Sequence, residues 1–125
     1  MANYGWNVVP GRVLMPKAGQ TVNGVPFSVP GSALVISLYV PALVGAATIK
    51  LQSLVPAPDD QVSDAWQDVS AFNLASGAPV PMSGIPSGAT TTIPITATGA
   101  GVLRCVASAD QSSAPVDITV AFMCL

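Results

Sequence analysis

Histidine and glutamate are both missing from this chain of 125 residues, and charge of either sign is scarce: four Lys or Arg and six Asp. Average chains carry about a quarter charged residues, several times this density. Each shortage closes off chemistry. Without histidine, neither a Ser-His-Asp nor a Cys-His arrangement can be assembled from this chain alone. Two cysteines with no histidine do not make a zinc site. The four cations, Arg12, Lys17, Lys50 and Arg104, are scattered, so no basic patch exists to neutralise phosphates, and nucleic acid is not an expected partner. The net charge of −2 is too small to steer any partner electrostatically. Met1–Trp6 has neither a basic start nor an apolar run, so no secretory leader is expected. No enzymatic activity and no cofactor are expected.

Also scarce are the Glu, Lys, Arg and Gln residues that normally cover the wet faces of helices. Ala, Val, Gly, Pro, Ser and Thr dominate instead, a mixture suited to β-layers and turns. Of the 12 prolines, eight follow Val or Ile, as in Val9-Pro10, Val40-Pro41 and Ile93-Pro94. A residue before proline is held extended, and proline cannot donate to a central ladder, so these pairs mark strand ends, edges and corners. They leave no window for a long helix.

Between the prolines lie the strands. Val116–Cys124 alternates strictly, with Val116, Ile118, Val120, Phe122 and Cys124 on one face. Thr48–Leu54 and Val102–Ala107 alternate in the same way. Ala33–Val40 is apolar on both faces and is expected to be a central strand covered on both sides. It opens an uncharged stretch of 17 residues, Ala33–Ile49, short of a membrane span and interrupted by Pro41 and Gly45; two strands joined by a Pro-Ala-Leu-Val-Gly turn account for it better, and no membrane partner is expected. Thr90–Ile95, broken at Pro94, and the shorter pieces Trp6–Val9, Arg12–Met15, Thr21–Val22 and Trp66–Leu74 complete the set. Ser63–Ser70 could form a short helix, although strand or loop suits it better. Ala75–Ala89 is the stretch richest in turn residues and reads as a loop or strap. The expected fold is all-β: a single-domain β-sandwich or jelly roll of about eight short antiparallel strands. An extended N-terminal arm with short strands occupies residues 1–30, and the sandwich occupies residues 31–125.

Few residues remain that could carry a site. Asp59, Asp60, Asp64 and Asp68 are near one another but lack the spacing of a calcium loop and read as a solvated stretch. Gly99-Ala100-Gly101 lacks the lysine and helix of a phosphate loop and reads as a strand-entry turn. Cys105 and Cys124 are either buried free thiols or, if their strands adjoin, a pair. Tyr4, Trp6, Tyr39 and Trp66 could stack on a sugar, Trp66 best of all, or could pack against the sandwich. Arg104 lies between Leu103 and Cys105 in a strand and must reach either an aspartate of its own chain or a partner subunit.

The second half has a recognisable texture. The strand ATIKLQSL is followed by Ala65-Trp66-Gln67-Asp68-Val69 and Phe72-Asn73-Leu74, then by a Gly/Pro turn and a Thr-rich strand. Gly101-Val102-Leu103-Arg104-Cys105-Val106-Ala107-Ser108-Ala109 and a last alternating strand complete it. About 80 residues thus resemble small β-sandwich virion proteins of tailed bacteriophages, head decoration or cement proteins among them, on the strength of two short elements, W-x-D-[VL] and G-x-[LV]-R-x-V-A-S. That resemblance implies a non-enzymatic virion structural protein, assembled in the host cytoplasm and bound to the capsid exterior. Its partners would be the major capsid protein and copies of itself, commonly as a homotrimer. The interface residues expected on this basis are Tyr4, Trp6, Arg12, Trp66 and Arg104. A tail, head-completion or fibre-base component, or a carbohydrate-binding sandwich, are the alternatives.

Overall fold

The computed structural model describes residues 5–9, 12–30, 33–55, 65–72, 79–81, 84–94 and 101–124. Twelve strands are found there: β1 (Asn7–Val8), β2 (Val13–Met15), β3 (Phe27–Val29), β4 (Ala33–Val40), β5 (Thr48–Val55), β6 (Ala65–Asp68), β7 (Ser70–Phe72), β8 (Pro79–Pro81), β9 (Ile85–Pro86), β10 (Ala89–Pro94), β11 (Gly101–Ala107) and β12 (Val116–Cys124). A single 3₁₀ turn, Val44–Ala46, is the only helical element among the described residues.

Sheet I runs β1-β12-β4-β10, with β2 also paired to β12; sheet II runs β3-β11-β5-β6, with β9 also paired to β5. All of these pairings are antiparallel. The two sheets pack face to face as a β-sandwich, and β7 with β8 forms a small separate ribbon. β1 and β2 lie end to end along one edge of β12, because β4 occupies its other edge. The segment expected as an arm therefore supplies strands to both sheets.

Alternation in the sequence becomes burial in the structure. Sheet I turns Val13, Met15, Ile36, Leu38, Val40, Ile118 and Val120 inward, and sheet II opposes them with Phe27, Val29, Ile49, Leu51, Leu103, Cys105 and Ala107. Each fully buried Leu, Ile or Val contributes about 2 kcal/mol relative to exposure. Cys105, in β11, and Cys124, in β12, are on different sheets and are free thiols; burial pushes the Cys105 thiol up to about 12.

Consecutive strands repeatedly change sheet. β4 in sheet I leads to β5 in sheet II through Pro41–Ala47, and β11 in sheet II leads to β12 in sheet I through Ser108–Pro115. The turn expected after Pro41 does join two strands, and it carries the chain from one layer to the other. Gln111 ties the two crossings together. It is fully buried; its Oε1 accepts the Val44 amide at 2.8 Å, and its Nε2 donates to the Val44 carbonyl at 2.9 Å and the Ala109 carbonyl at 3.2 Å. Its own amide donates to the Thr21 carbonyl at 2.8 Å. A buried amide side chain with every group bonded holds geometry that an apolar residue would not specify. Beside it, Gly45 and Ala46 both take positive φ, which lets the chain reverse inside one short turn.

Two expectations need correction and a third is settled. Thr21–Val22 forms no strand; only a single bridge, Asn23 with Val106, marks that segment, because the chain there is turning. Residues 65–68 are strand β6, paired with β5, in keeping with the strand or loop preferred there over a short helix at Ser63–Ser70. β4 is central, as expected, yet it is not covered on both sides: Ile36, Leu38 and Val40 are buried, Val35 and Ser37 are half-buried, and Tyr39 is 48% exposed. A two-layer sandwich has only one inside, and the second apolar face of β4 lies on the outside.

Candidate functional site

The side chains available to partners are those that alternation turns outward, so the two outer faces are the places to look. Strand register builds each of them. On sheet II, Arg104 of β11 stands opposite Gln52 of β5, which stands opposite Asp68 of β6; Val106 stands opposite Lys50, and Leu54 opposite Trp66. Directly opposed residues share a face and lie close enough to bond. They do. Arg104 donates from Nε and Nη2 to Gln52 Oε1 at 2.9 and 2.7 Å. Gln52 Nε2 donates to Asp68 Oδ1 at 3.0 Å, and Lys50 Nζ lies 3.2 Å from the same oxygen. The Arg104 guanidinium reaches diagonally across β5 to stack on Trp66, its central carbon 4.3 Å from the ring centroid. Such a stack is worth about 1 kcal/mol at a partly exposed site.

Electrostatics follow from these contacts. The Gln52 hydrogen bond first, and Lys50 second, hold the Asp68 carboxyl below its usual range. Partial desolvation draws Arg104 below the ordinary arginine value, although it stays charged at any physiological pH. Arg104 therefore bonds an amide of its own chain, and the aspartate is reached only through that amide. Both neighbours of Arg104 in this network, Gln52 and Trp66, lie on sheet II.

Beside this network a loop walls one side of a small open cavity. Lys17–Gly24 folds on itself: the Gln20 amide donates to the Lys17 carbonyl at 2.9 Å, the Lys17 amide to the Asn23 carbonyl at 2.6 Å, and Asn23 Nδ2 to Gln20 Oε1 at 2.9 Å. Gly19, with φ of 79°, makes the turn. Gly24 allows the loop to seat: a Cβ there would lie 3.0 Å from Met15 Sδ and 3.1 Å from the Cys105 carbonyl oxygen. The resulting cavity, about 160 Å³, is lined by Lys17, Gln20, Asn23, Gly24, Pro26, Trp66 and Arg104.

The outer face of sheet I is different in kind. Thr119, Tyr39 and Thr90 form one outward row across β12, β4 and β10, and Val8, Ala121 and Ser37 form the next across β1, β12 and β4. Met123 and Val35 extend it at one end, Leu14 and Asp117 at the other. Val8 is 49% exposed and Leu14 36%. Among these residues the one charge is Asp117, paired with Arg12 at 3.0 Å.

Of the five residues expected at an interface, the structure brings Trp66 and Arg104 together on sheet II. Trp6, half-buried, precedes β1 at the edge of sheet I, and Arg12 precedes β2 on that same edge, 83% exposed and joined to Asp117. Tyr4 lies outside the described residues, as do Asp59, Asp60, Asp64, Gly99 and Ala100. The sequence pointed to neither Gln52 nor the Lys17–Gly24 loop; cross-strand register, which joins residues 52 apart in the chain, is the missing signal. No protein-family model, no curated protein and no solved structure matches this chain.

Proposed function

We propose that this chain is a non-enzymatic structural protein of a virion, a decoration or cement protein that stabilises a phage head by binding the major capsid protein and copies of itself. One observation carries the reading: β4 is uncharged throughout, yet its own sandwich covers only one of its faces, and Tyr39 on the other is 48% exposed. Its outward side belongs to a nearly uncharged surface on which Val8, Leu14, Val35, Ala121 and Met123 lie among the hydroxyl-bearing Tyr39, Thr119, Thr90 and Ser37. Interface cores are depleted in charge and enriched in tyrosine, which this face matches in its lack of charge and in its exposed Tyr39. Weak contacts of this kind, repeated around a closed shell, sum by avidity to firm attachment. The resemblance of Trp66–Val69 and Gly101–Ser108 to two short elements of phage head proteins supports a capsid as the partner. The alternative of sugar stacking on Trp66 is less well supported, since Arg104 already lies over the ring.

The test is light scattering after gel filtration of the purified chain, alone and mixed with empty heads. A self-associating chain that co-elutes with heads, at a copy number comparable to the shell's own subunits, is the expected result. A chain that stays monomeric and ignores the heads ends the reading; attachment at only a few copies per particle makes it a tail or head-completion component.

A further inference from the structure

Each charge in so sparsely charged a chain has a traceable partner or lacks one. Arg12 is paired with Asp117 and Lys50 with Asp68. Among the described residues, the other two cations, Lys17 and Arg104, have no carboxylate within ion-pair distance, and both line the same cavity of about 160 Å³. Arg104 is half-buried there, and its plane is fixed from two sides: Gln52 Oε1 takes two of its N–H groups, and Trp66 lies against its face. A guanidinium has five N–H donors, so three remain unbonded among the described residues. The Gln20 and Asn23 side chains, bonded to each other, stand at the same cavity.

We propose that this cavity is a carboxylate-binding site, with Arg104 as the oriented fork and Lys17 as a second positive charge. Its natural ligand is the carboxylate of a polypeptide partner, either an Asp or Glu side chain or a chain terminus. A fixed, half-buried guanidinium plane favours a planar two-oxygen acceptor over a point anion. Size argues the same way. Small-molecule sites run to roughly 300–1,000 Å³, whereas this cavity accepts one side chain. The proposal does not rest on the head-binding reading, since a carboxylate can dock here whatever the chain is attached to.

The experiment is an NMR titration of the full chain, following the Arg104 Nε–H and Trp66 Nε1–H signals at constant ionic strength. Sodium acetate is compared with sodium chloride, and a blocked Gly-Asp-Gly peptide with triglycine whose C-terminus is free, which separates side-chain from terminal carboxylates. Acetate should produce a saturable shift that chloride does not. Arg104→Lys should weaken it at least about tenfold, the scale of a lost charge-assisted hydrogen bond. Lys17→Gln, at an exposed position where folding is not at risk, should weaken it about threefold. An acetate shift equalled by chloride, or unchanged in both variants, overturns the assignment. So does a shift confined to the Asp59→Asn/Asp60→Asn/Asp64→Asn variant, which would make the chain's own loop the occupant, or tighter binding of inorganic phosphate than of acetate.

Discussion

Around Tyr39, on the outside of sheet I, the neighbouring positions hold Thr119, Thr90, Ser37, Ala121 and Val8; around Gln52, on the outside of sheet II, they hold Arg104, Asp68, Lys50 and Trp66. The backbone plan is the same in both places, an antiparallel ladder with one face turned inward. On sheet II the outward polar groups are joined to each other by hydrogen bonds and an ion pair, with three Arg104 donors left over among the described residues. On sheet I the outward residues offer hydroxyls and apolar groups, and among the described residues the only charges at its edge are the paired Arg12 and Asp117. The sandwich thus carries two kinds of outer surface: a nearly uncharged one on the first sheet, proposed as the head contact, and a bonded network of charged and polar groups on the second, proposed as a carboxylate site.

Experiments can break that contrast or sharpen it. The largest effect should come from the shared interior, where the two sheets must behave alike. Leu38→Ala in β4 and Leu51→Ala in β5 should each lower unfolding free energy by about 3 kcal/mol in urea titrations. A large disparity between them would mean that the sheets differ inside as well as outside. Next is Tyr39→Lys, expected to weaken self-association or head binding by about 2 kcal/mol, roughly thirtyfold, while changing urea stability by less than about 0.5 kcal/mol. That association should also survive raised salt, since few charges take part. If Tyr39→Lys leaves association intact in light scattering, the nearly uncharged face is not the contact.

Smaller still, Trp66→Ala should cost about 1 kcal/mol of stability from the lost Arg104 stack, in addition to the packing of the ring, and should leave self-association unchanged. The smallest effect is a pH step. Because the Asp68 carboxyl sits below its unfolded value near 4, its network contributes stability above that pH and loses it as pH falls through the lowered folded value. In a Trp6→Phe background, Trp66 fluorescence should change in acid, and Asp68→Asn should remove that change. A step that persists in Asp68→Asn would assign it elsewhere.

Much of the architecture was legible in the residues. The strict alternation of Val116–Cys124 and Thr48–Leu54 predicted which side chains face inward, because a period of two leaves no freedom once one face is buried. The continuous apolar run of Ala33–Val40 was ambiguous for a physical reason: the sequence records that both faces prefer to be dry, but not whether the second cover belongs to the same chain. The outer network was less visible. Trp66 and Arg104 stood out as isolated large residues, yet Gln52, which receives the guanidinium, is an ordinary polar residue until β5 is placed between β11 and β6. Gln111 was equally silent, since a buried amide looks no different in sequence from a surface one.

The pairing of β1 and β2 with β12 carries a further consequence. Arg12 and Asp117, partners across that edge, are separated by 105 positions. Sheet I therefore cannot close during synthesis until β12 has left the ribosome, and until then the inward faces of β2 and β4 have no finished layer around them. Folding of this chain should be slow and late, and at high expression the half-made sandwich should be its most aggregation-prone form.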